Sequence, residues 1–550
     1  MVGLATVFGA GGGTSSYGEA ESADVIVMWG SNARNAHPIF FHHVLTAVNN
    51  GARLYVVDPR RSETAQFADR WLGLEVGSDI ALANSVAREI IHSGLTNEDF
   101  VARATSGFDE FAASVEGWTL ERGSAVTGVP ADAIRELAHA YATADAAQLC
   151  WTLGITEHHN GVDNVLSLCN LALLTGQVGR RGAGLSPLRG QNNVQGGGDM
   201  GALPDRLPGF QEVTDDVARA KFEREWGVSI PASTGLNLTG MFDAMERREL
   251  RSVLVIGENP AQSEADVSRA VRLLGDLDHL VAVDIHLTRT AELADVVLPG
   301  SASWCESDGT VTNSERRVQR VRKALDPPGQ ARDDIDILLD LAGRLGHQWE
   351  YRDHEEIWNE VRRLSPMHAG MSWPRLELLG GIQWPCFSDD ELEPPFLHGR
   401  LWADDPADRG RLAPFSVVVD EPPAEVVNDE FPLRLTTGRR LDSYNTGVQS
   451  GGYRSPNRVG ETVDVSPVDA IEMQLSDGEM VTITSPRGSV TAPVRIDAGL
   501  RQGLVFMTPH FPDDVDVNQL TIDATDPKSG TAEFKAAAVR IEKLDGPSWT

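Results

Sequence analysis

Residues 23–61 read ADVIVMWGSNARNAHPIFFHHVLTAVNNGARLYVVDPRR, and this stretch decides the fold class. An apolar run ends in Gly-Ser-Asn, a helix-period segment follows and is closed by Asn-Gly, and a second apolar run ends in Asp-Pro-Arg. Two buried strands around a helix make a βαβ unit, so their sheet is parallel and covered on both faces. The grammar recurs downstream. AAQLCWTLGITEHHNG (146–161) is a strand followed by a glycine loop, and it runs into the helical VDNVLSLCNLALLTGQVGRRGAG (162–184). LRSVLVIGENPAQS (250–263), DVSRAVRLLGDL (266–277) and HLVAVDIHLTRTAELADVVLPG (279–300) form a further strand, helix and strand series.

The expected architecture is α/β, with doubly wound parallel-sheet domains related by pseudo-symmetry and a C-terminal β-barrel-like domain. Residues 1–192 read as the first dinucleotide-binding domain and 193–390 as the second. The Pro- and Asp-rich 391–429 reads as a linker, and 430–550 as the barrel that caps the cofactor. GEMVTITSPRGSVTAPVRI (478–496) alternates around a Ser-Pro-Arg-Gly turn, the pattern of a barrel hairpin.

The chain of 550 residues is long enough for several cores. Its formal charge of -32 repels polyanions and argues against nucleic-acid binding. No apolar run approaches the roughly 20 residues of a membrane span and the N-terminus lacks a signal-peptide pattern, so no membrane insertion is expected. The location is expected to be cytoplasmic, with any export signal lying in the N-terminal part ahead of this sequence. The four cysteines, Cys150, Cys169, Cys305 and Cys386, are far apart and form no C-x-x-C pair, so zinc and iron–sulfur spacing is absent and each reads as a free thiol.

Four strand-to-loop junctions carry polar clusters: WGSN (29–32), DPRRSET (58–64), GENP (257–260) and DIHLTRT (284–290). Glycines at such junctions let phosphate approach the backbone, and Asp58, Asp79 or Asp284 can accept from ribose hydroxyls or a guanine edge. GAGGGTSSYG near the start lacks the G-x-G-x-x-G register, and there is no G-x-x-x-x-G-K-[ST] loop. Residues 182–205, GAGLSPLRGQNNVQGGGDMGALPD, surround a lone cation, Arg189, with glycines and amides and show no period that would bury a helix or strand.

LSPLRGQNNVQGGGDMGALPD, taken with HPIFFHHVLTAVNNGARLYVVDPRRSETAQFAD, NLALLTGQVGRRGAG, SDGTVTNSERRVQRVRKAL and EFKAAAVRIEKL, resembles the catalytic α subunit of molybdenum- or tungsten-dependent formate dehydrogenases, collinearly over essentially the whole chain. The resemblance implies a metal held by two molybdopterin guanine dinucleotides. It implies that Arg189 clamps the formate carboxylate, with Gly190, Gln191, Asn192 and Asn193 lining the pterins. One dinucleotide would meet Asn32, Asp58, Pro59, Arg60, Gly77 and Asp79, with Gly154 and Thr156 near its pterin and His37 approaching it. The other would meet Gly257, Glu258, Asn259, Asp284, Thr288 and Asp295. Thr437, Gly438, Arg439, His510, Asn518 and Lys535 would close over both.

Members of the family carry a metal-ligating cysteine or selenocysteine followed by histidine, and a [4Fe-4S] domain, ahead of the segment equivalent to MVGLA. Neither is present in this sequence, so no metal ligand is assigned and the chain alone is expected to be inactive. An in-frame UGA read as a stop would account for the start, with a frameshift, a split gene or a true remnant as the competing explanations. Residues 305–325 pack on the cluster domain in the family and are expected to be partly exposed or disordered here. Electron-transfer subunits are the implied partners. A guanine-dinucleotide-binding protein without turnover, or an oxidoreductase for another small substrate, are the alternatives.

Overall fold

The computed structural model describes residues 1–390, 392, 394–441, 444–446 and 460–544. It comprises two compact units, one of residues 1–188, 263–268 and 395–550 and the other of residues 189–262 and 269–394.

In the first unit, β1 (Val25–Trp29), β2 (Arg53–Val57), β3 (Arg70–Leu72), β4 (Ala147–Trp151) and β5 (Gly184–Pro187) form a parallel sheet ordered β3-β2-β1-β4-β5. β1 and β4 are buried at every position, which explains their mainly apolar sequences, Gln148 being the polar exception. Alternate side chains serve two cores. Ile26, Met28, Leu54 and Val56 pack with Phe40, Phe41 and Val44 of α1 (Pro38–Asn49). Val25, Val27, Trp29 and Tyr55 pack with Ile80 and Val86 of α2 (Asp79–His92) and Leu168 of α3 (Gly161–Thr175). Proline at the first position of α1 loses no helical bond, and Gly176, at φ 67°, ends α3 by donating to Ala172 O. Winding reverses between β1 and β4, and the register pairs Trp29 with both Val57 and Trp151. Gly30, Asp58 and Thr152 therefore leave the sheet side by side, at the switch point where α/β sheets bind ligands.

The second unit opens at Arg189 and runs into the short helix α4 (Val194–Asp199). Its parallel sheet is β6 (Ser252–Ile256), β7 (His279–Asp284) and β8 (Val296–Pro299), ordered β8-β7-β6. Val255 and Leu280 pack on Phe242, Met245, Leu273 and Leu274 of the flanking helices. A separate antiparallel sheet joins β9 (Gly309–Thr312), β10 (Arg317–Val321) and β11 (Ile382–Gln383).

Back in the first unit, β12 (Leu433–Thr437), β13 (Val463–Val465), β14 (Met480–Thr484), β15 (Ser489–Ile496), β16 (Leu504–Met507) and β17 (Ala537–Lys543) close a barrel in the order β12-β16-β13-β15-β14-β17. The expected hairpin is β14 with β15, antiparallel. Glu425 ties the barrel to the irregular segment that precedes β12: it takes two bonds of 2.8 Å from Arg487 and one of 2.7 Å from Ala538 N. Removing one partner of a largely buried bidentate pair strands the other. Glu425→Gln is expected to cost about 2–3 kcal/mol, read as faster amide exchange along β17.

Several segments differ from the sequence reading. Residues 182–205 contain both a strand and a helix. β5 escapes notice because Gly184 is demanded by crowding, a Cβ there falling 1.9 Å from Ser15 Oγ, and α4 because three glycines erase its period. Residues 2–8 form a helix that buries Leu4, Val7 and Phe8, with Gly3 permitting close approach to Val165. The 391–429 segment, in which residues 391 and 393 lie outside the described residues, is packed rather than loose. Trp402 donates to Val178 O at 2.7 Å, Phe415 stacks on Phe111 at 5.0 Å, and Ala413–Pro414 pair with Thr105–Ser106. Residues 305–325, by contrast, are partly exposed, one of the two states expected of them, and pair as β9 and β10, with Arg320 over Trp373 at 3.2 Å. No disulfide links the four cysteines, and burial pushes the Cys150 and Cys169 thiols up to about 12. No helix among the described residues is long and apolar enough to cross a membrane.

Candidate functional site

At the carboxyl edge of the first sheet, Asn32 clasps the loop after β2. Its Oδ1 accepts from Thr64 N at 3.2 Å and Thr64 Oγ1 at 3.0 Å, and Arg34 N donates to the same Thr64 hydroxyl at 3.0 Å. The second unit repeats this device. Asn259 Oδ1 accepts from Thr290 N at 3.1 Å and Thr290 Oγ1 at 2.8 Å, and Ala261 N donates to the Thr290 hydroxyl at 3.0 Å. Each asparagine stands three residues beyond its strand, after β1 and after β6. An aspartate at the end of the neighbouring strand in each unit turns the chain: Asp58, just past β2, accepts through Oδ1 from Arg60 N at 2.9 Å, and Asp284, the last residue of β7, from Ile285 N at 2.7 Å and His286 N at 3.3 Å. Each unit thus carries one polar clip at its strand ends, with Gly30 (φ 56°) or Gly257 (φ 63°) at its base.

Around the first clip, Gly154 N donates to Gly30 O at 3.2 Å, and a Cβ on Gly154 would fall 2.4 Å from that oxygen. Thr156 lies two residues on, at the end of the same short helix. Asp79 opens α2 behind Gly77 (φ 83°) and accepts from Trp29 Nε1 at 2.7 Å. Burial pushes the carboxyl of Asp58 up to about 6, against Arg60, and raises that of Asp79 too. Pro59 is half-buried, and the Arg60 guanidinium lies 3.5 Å over Phe506. His37 caps α1 through its backbone, accepting from Phe41 N at 2.9 Å.

Barrel loops of the same unit reach this edge. Lys535 meets Glu157 at 2.8 Å and Thr437 Oγ1 at 3.5 Å. Gly438 leaves room for Phe506, and Arg439 lies over Tyr444 at 4.1 Å. His510 Nε2 accepts from Arg440 N at 3.0 Å, so Nδ1 carries the proton and donates to Asn445 O at 2.5 Å. Asn518 Nδ2 donates to Ser263 O at 3.3 Å. In the second unit Glu258 is exposed beside Asn259, and Thr288 caps the next helix through Ala291 N at 3.2 Å. Asp295 is not brought to this edge. Its carboxylate accepts from Leu280 N at 2.7 Å at the start of β7, as Asp69 does from Leu54 N at 2.8 Å in β2, so both serve the opposite end of their sheets.

Arg189 is half-buried. Its backbone N donates to Ser314 Oγ at 2.8 Å and its Nε to Gln195 Oε1 at 3.2 Å. Burial pushes its pKa down to about 10, opposed by Asp199, so it stays charged near neutrality. Gly190, Gln191 and Asn192 are exposed, while Asn193 (φ 66°) starts α4 and accepts from Thr312 N at 2.9 Å. The sequence reading missed Glu157 and the cluster in which Glu533 accepts from both His158 and His159 at 3.2 Å. No local pattern links residues so far apart in sequence. It also missed Gln195 and Asp199, whose four-residue spacing was visible.

A nucleotide cofactor fits the first edge on donor chemistry. Ser31 Oγ, Asn35 Oδ1 and Ser62 Oγ are buried with no hydrogen-bond partner among the described residues; Ser31 and Asn35 lie in the loop and short helix past β1, and Ser62 in the loop past β2. Ser301 Oγ, past β8, is a like atom in the second unit. Such atoms are costly unless a ligand satisfies them.

Parallel sheets with polar clips at their carboxyl edges, together with a closed barrel, suit a nucleotide-type cofactor. Residues 7–344 match the molybdopterin oxidoreductase family model and residues 433–538 the molydopterin dinucleotide binding domain, so the chain belongs to the molybdopterin oxidoreductase family. It is 40% identical to the F420-dependent formate dehydrogenase 2 subunit alpha of Methanococcus maripaludis, across 99% of this chain and 80% of that one. It is 36% identical to formate dehydrogenase H of Escherichia coli, across 99% and 76%. Acetylene hydratase from Pelobacter acetylenicus shares the fold, with a TM-score of 0.75 and 21% identity over 99% of this chain and 80% of that one.

Proposed function

We propose that this chain is the catalytic subunit of a formate dehydrogenase, in which formate becomes CO2 with release of a proton and two electrons. The observation that carries the reading is its similarity, over nearly its whole length, to formate dehydrogenase alpha subunits. Arg189 supports it chemically: a charged planar guanidinium fixed at both backbone and Nε suits a carboxylate. The bound pterin dinucleotides and their molybdenum or tungsten supply the two-electron acceptor.

This chain's own residues bind and orient. Asn32, Asp58, Pro59, Arg60, Gly77, Asp79, Gly154 and Thr156 would hold one dinucleotide; Gly257, Glu258, Asn259, Asp284 and Thr288 would hold the other. Thr437, Gly438, Arg439, His510, Asn518 and Lys535 would close on the first, and Gly190, Gln191 and Asn193 would border the substrate arginine. Electrons leave through an electron-transfer partner. Turnover of formate by the cofactor-loaded holoenzyme carrying this chain tests the reading, and a loaded holoenzyme inert to formate contradicts it.

Asp58 gives a pH test. Its folded pKa of about 6 lies above the ordinary carboxylate value of about 3.9, so the folded state favours the proton. Raising pH through that window weakens the empty fold, and a guanine N–H pair bound to the ionised carboxylate offsets the loss. GDP affinity for cofactor-free protein is therefore expected to rise with pH up to about 6 and then level. Asp58→Asn should flatten the profile and weaken binding about tenfold above pH 6.

A further inference from the structure

The groups behind Arg189 form a chain in which each hydrogen bond has a fixed sense. The Trp384 indole N–H can only donate, and it gives its proton to Asp199 Oδ2 at 2.7 Å. Asp199 Oδ1 accepts from Gln195 Nε2 at 2.8 Å, which turns Gln195 Oε1 the other way, toward Arg189 Nε at 3.2 Å. Gln195 and Asp199 lie one turn apart on α4, so they share a face, and they are 0% and 1% exposed. A fully buried carboxylate held by an amide and an indole is costly unless its charge serves a neighbour. Burial pushes it up to about 7, against the pull of Gln195, Trp384, Arg189 and the buried Arg316.

Resting on the reading that Arg189 receives the substrate carboxylate, we propose that Asp199, acting through Gln195, is the positioning residue that sets the orientation of the Arg189 guanidinium. With Nε committed to Gln195, the plane of the guanidinium is fixed before an incoming carboxylate arrives.

Isosteric changes separate this role from packing. In Asp199→Asn, Trp384 still requires an acceptor, so the new Oδ1 turns to the indole and Nδ2 faces Gln195. Gln195 must then offer Oε1 to Asn Nδ2, which sets its own Nε2–H against Arg189 Nε–H, donor against donor. Adding Gln195→Glu places acceptors on both sides again and returns the negative charge one position along the chain.

The test uses the holoenzyme carrying this chain, with the rate of phenylglyoxal modification at Arg189 read by peptide mass spectrometry in the absence of substrate, and the KM for formate measured beside it. Asp199→Asn is expected to raise both about tenfold, with kcat changed far less, and the double variant D199N/Q195E to bring both back within about threefold of the parent. Unchanged Arg189 reactivity in Asp199→Asn, or a double variant no better than the single, overturns the proposal. Should reactivity follow the expected pattern while the KM for formate stays constant throughout, the orientation of Arg189 by Asp199 stands and the substrate reading of Arg189 falls.

Discussion

In the loaded holoenzyme, Arg189→Lys is expected to lower kcat/KM for formate about 10²- to 10³-fold, mostly through KM, while guanine nucleotide content stays at the parent level. Lysine keeps the charge but loses the planar fork, the Nε bond to Gln195 Oε1 and the bidentate grip on a carboxylate. Charge-assisted bonds of about 1.5–3 kcal/mol each set the scale. A merely electrostatic role, drawing in anions, would be kept by lysine. A loss below tenfold with unchanged KM would therefore place the carboxylate elsewhere.

Gly154→Ala is expected to cost about 1–3 kcal/mol and to abolish cofactor retention. The two loops leaving β1 and β4 touch backbone to backbone, and the new Cβ falls 2.4 Å from Gly30 O and 2.7 Å from Gly30 C. Gly30 cannot give way, because its own φ of 56° and contact with Gly154 fix it. The loops would part at the switch point, where Ser31 and Thr152 also sit. Gly190→Ala is the matched control: nothing lies within 4 Å of a Cβ there, so its stability should shift by less than about 0.5 kcal/mol. Denaturant unfolding and nucleotide content read both variants. Equal behaviour of the two would contradict a backbone contact at Gly154.

The sheets were legible in the sequence because β1, β2 and β4 are buried almost throughout and so read as short, mainly apolar runs, VIVMW, RLYVV and AQLCW. The strand-end clips were half legible. Asn32, Asp58, Asn259 and Asp284 were read at strand-to-loop junctions, but the threonine partners of the two asparagines lie 32 and 31 residues away and only the fold joins them. Asp295 misled because a carboxylate beside a strand reads the same at either end, while only the carboxyl end faces the crevice. Helix α4 was hidden by Gly196, Gly197 and Gly198, and with it the Gln195–Asp199 pair that orients Arg189. The wrap through Trp402 and Phe415 was hidden by its proline and aspartate content, since a few aromatic anchors can pin a polar segment.

The central claim is that each unit holds a guanine dinucleotide on its own Asn–Thr clip. Guanine nucleotide released by acid hydrolysis, counted per chain of holoenzyme, tests it most directly when parent, Asn32→Ala and Asn259→Ala are compared. One guanine for each clip is expected in the parent, with the count halved when either asparagine is removed. A parent with a single guanine, or counts unmoved by both substitutions, would contradict the account.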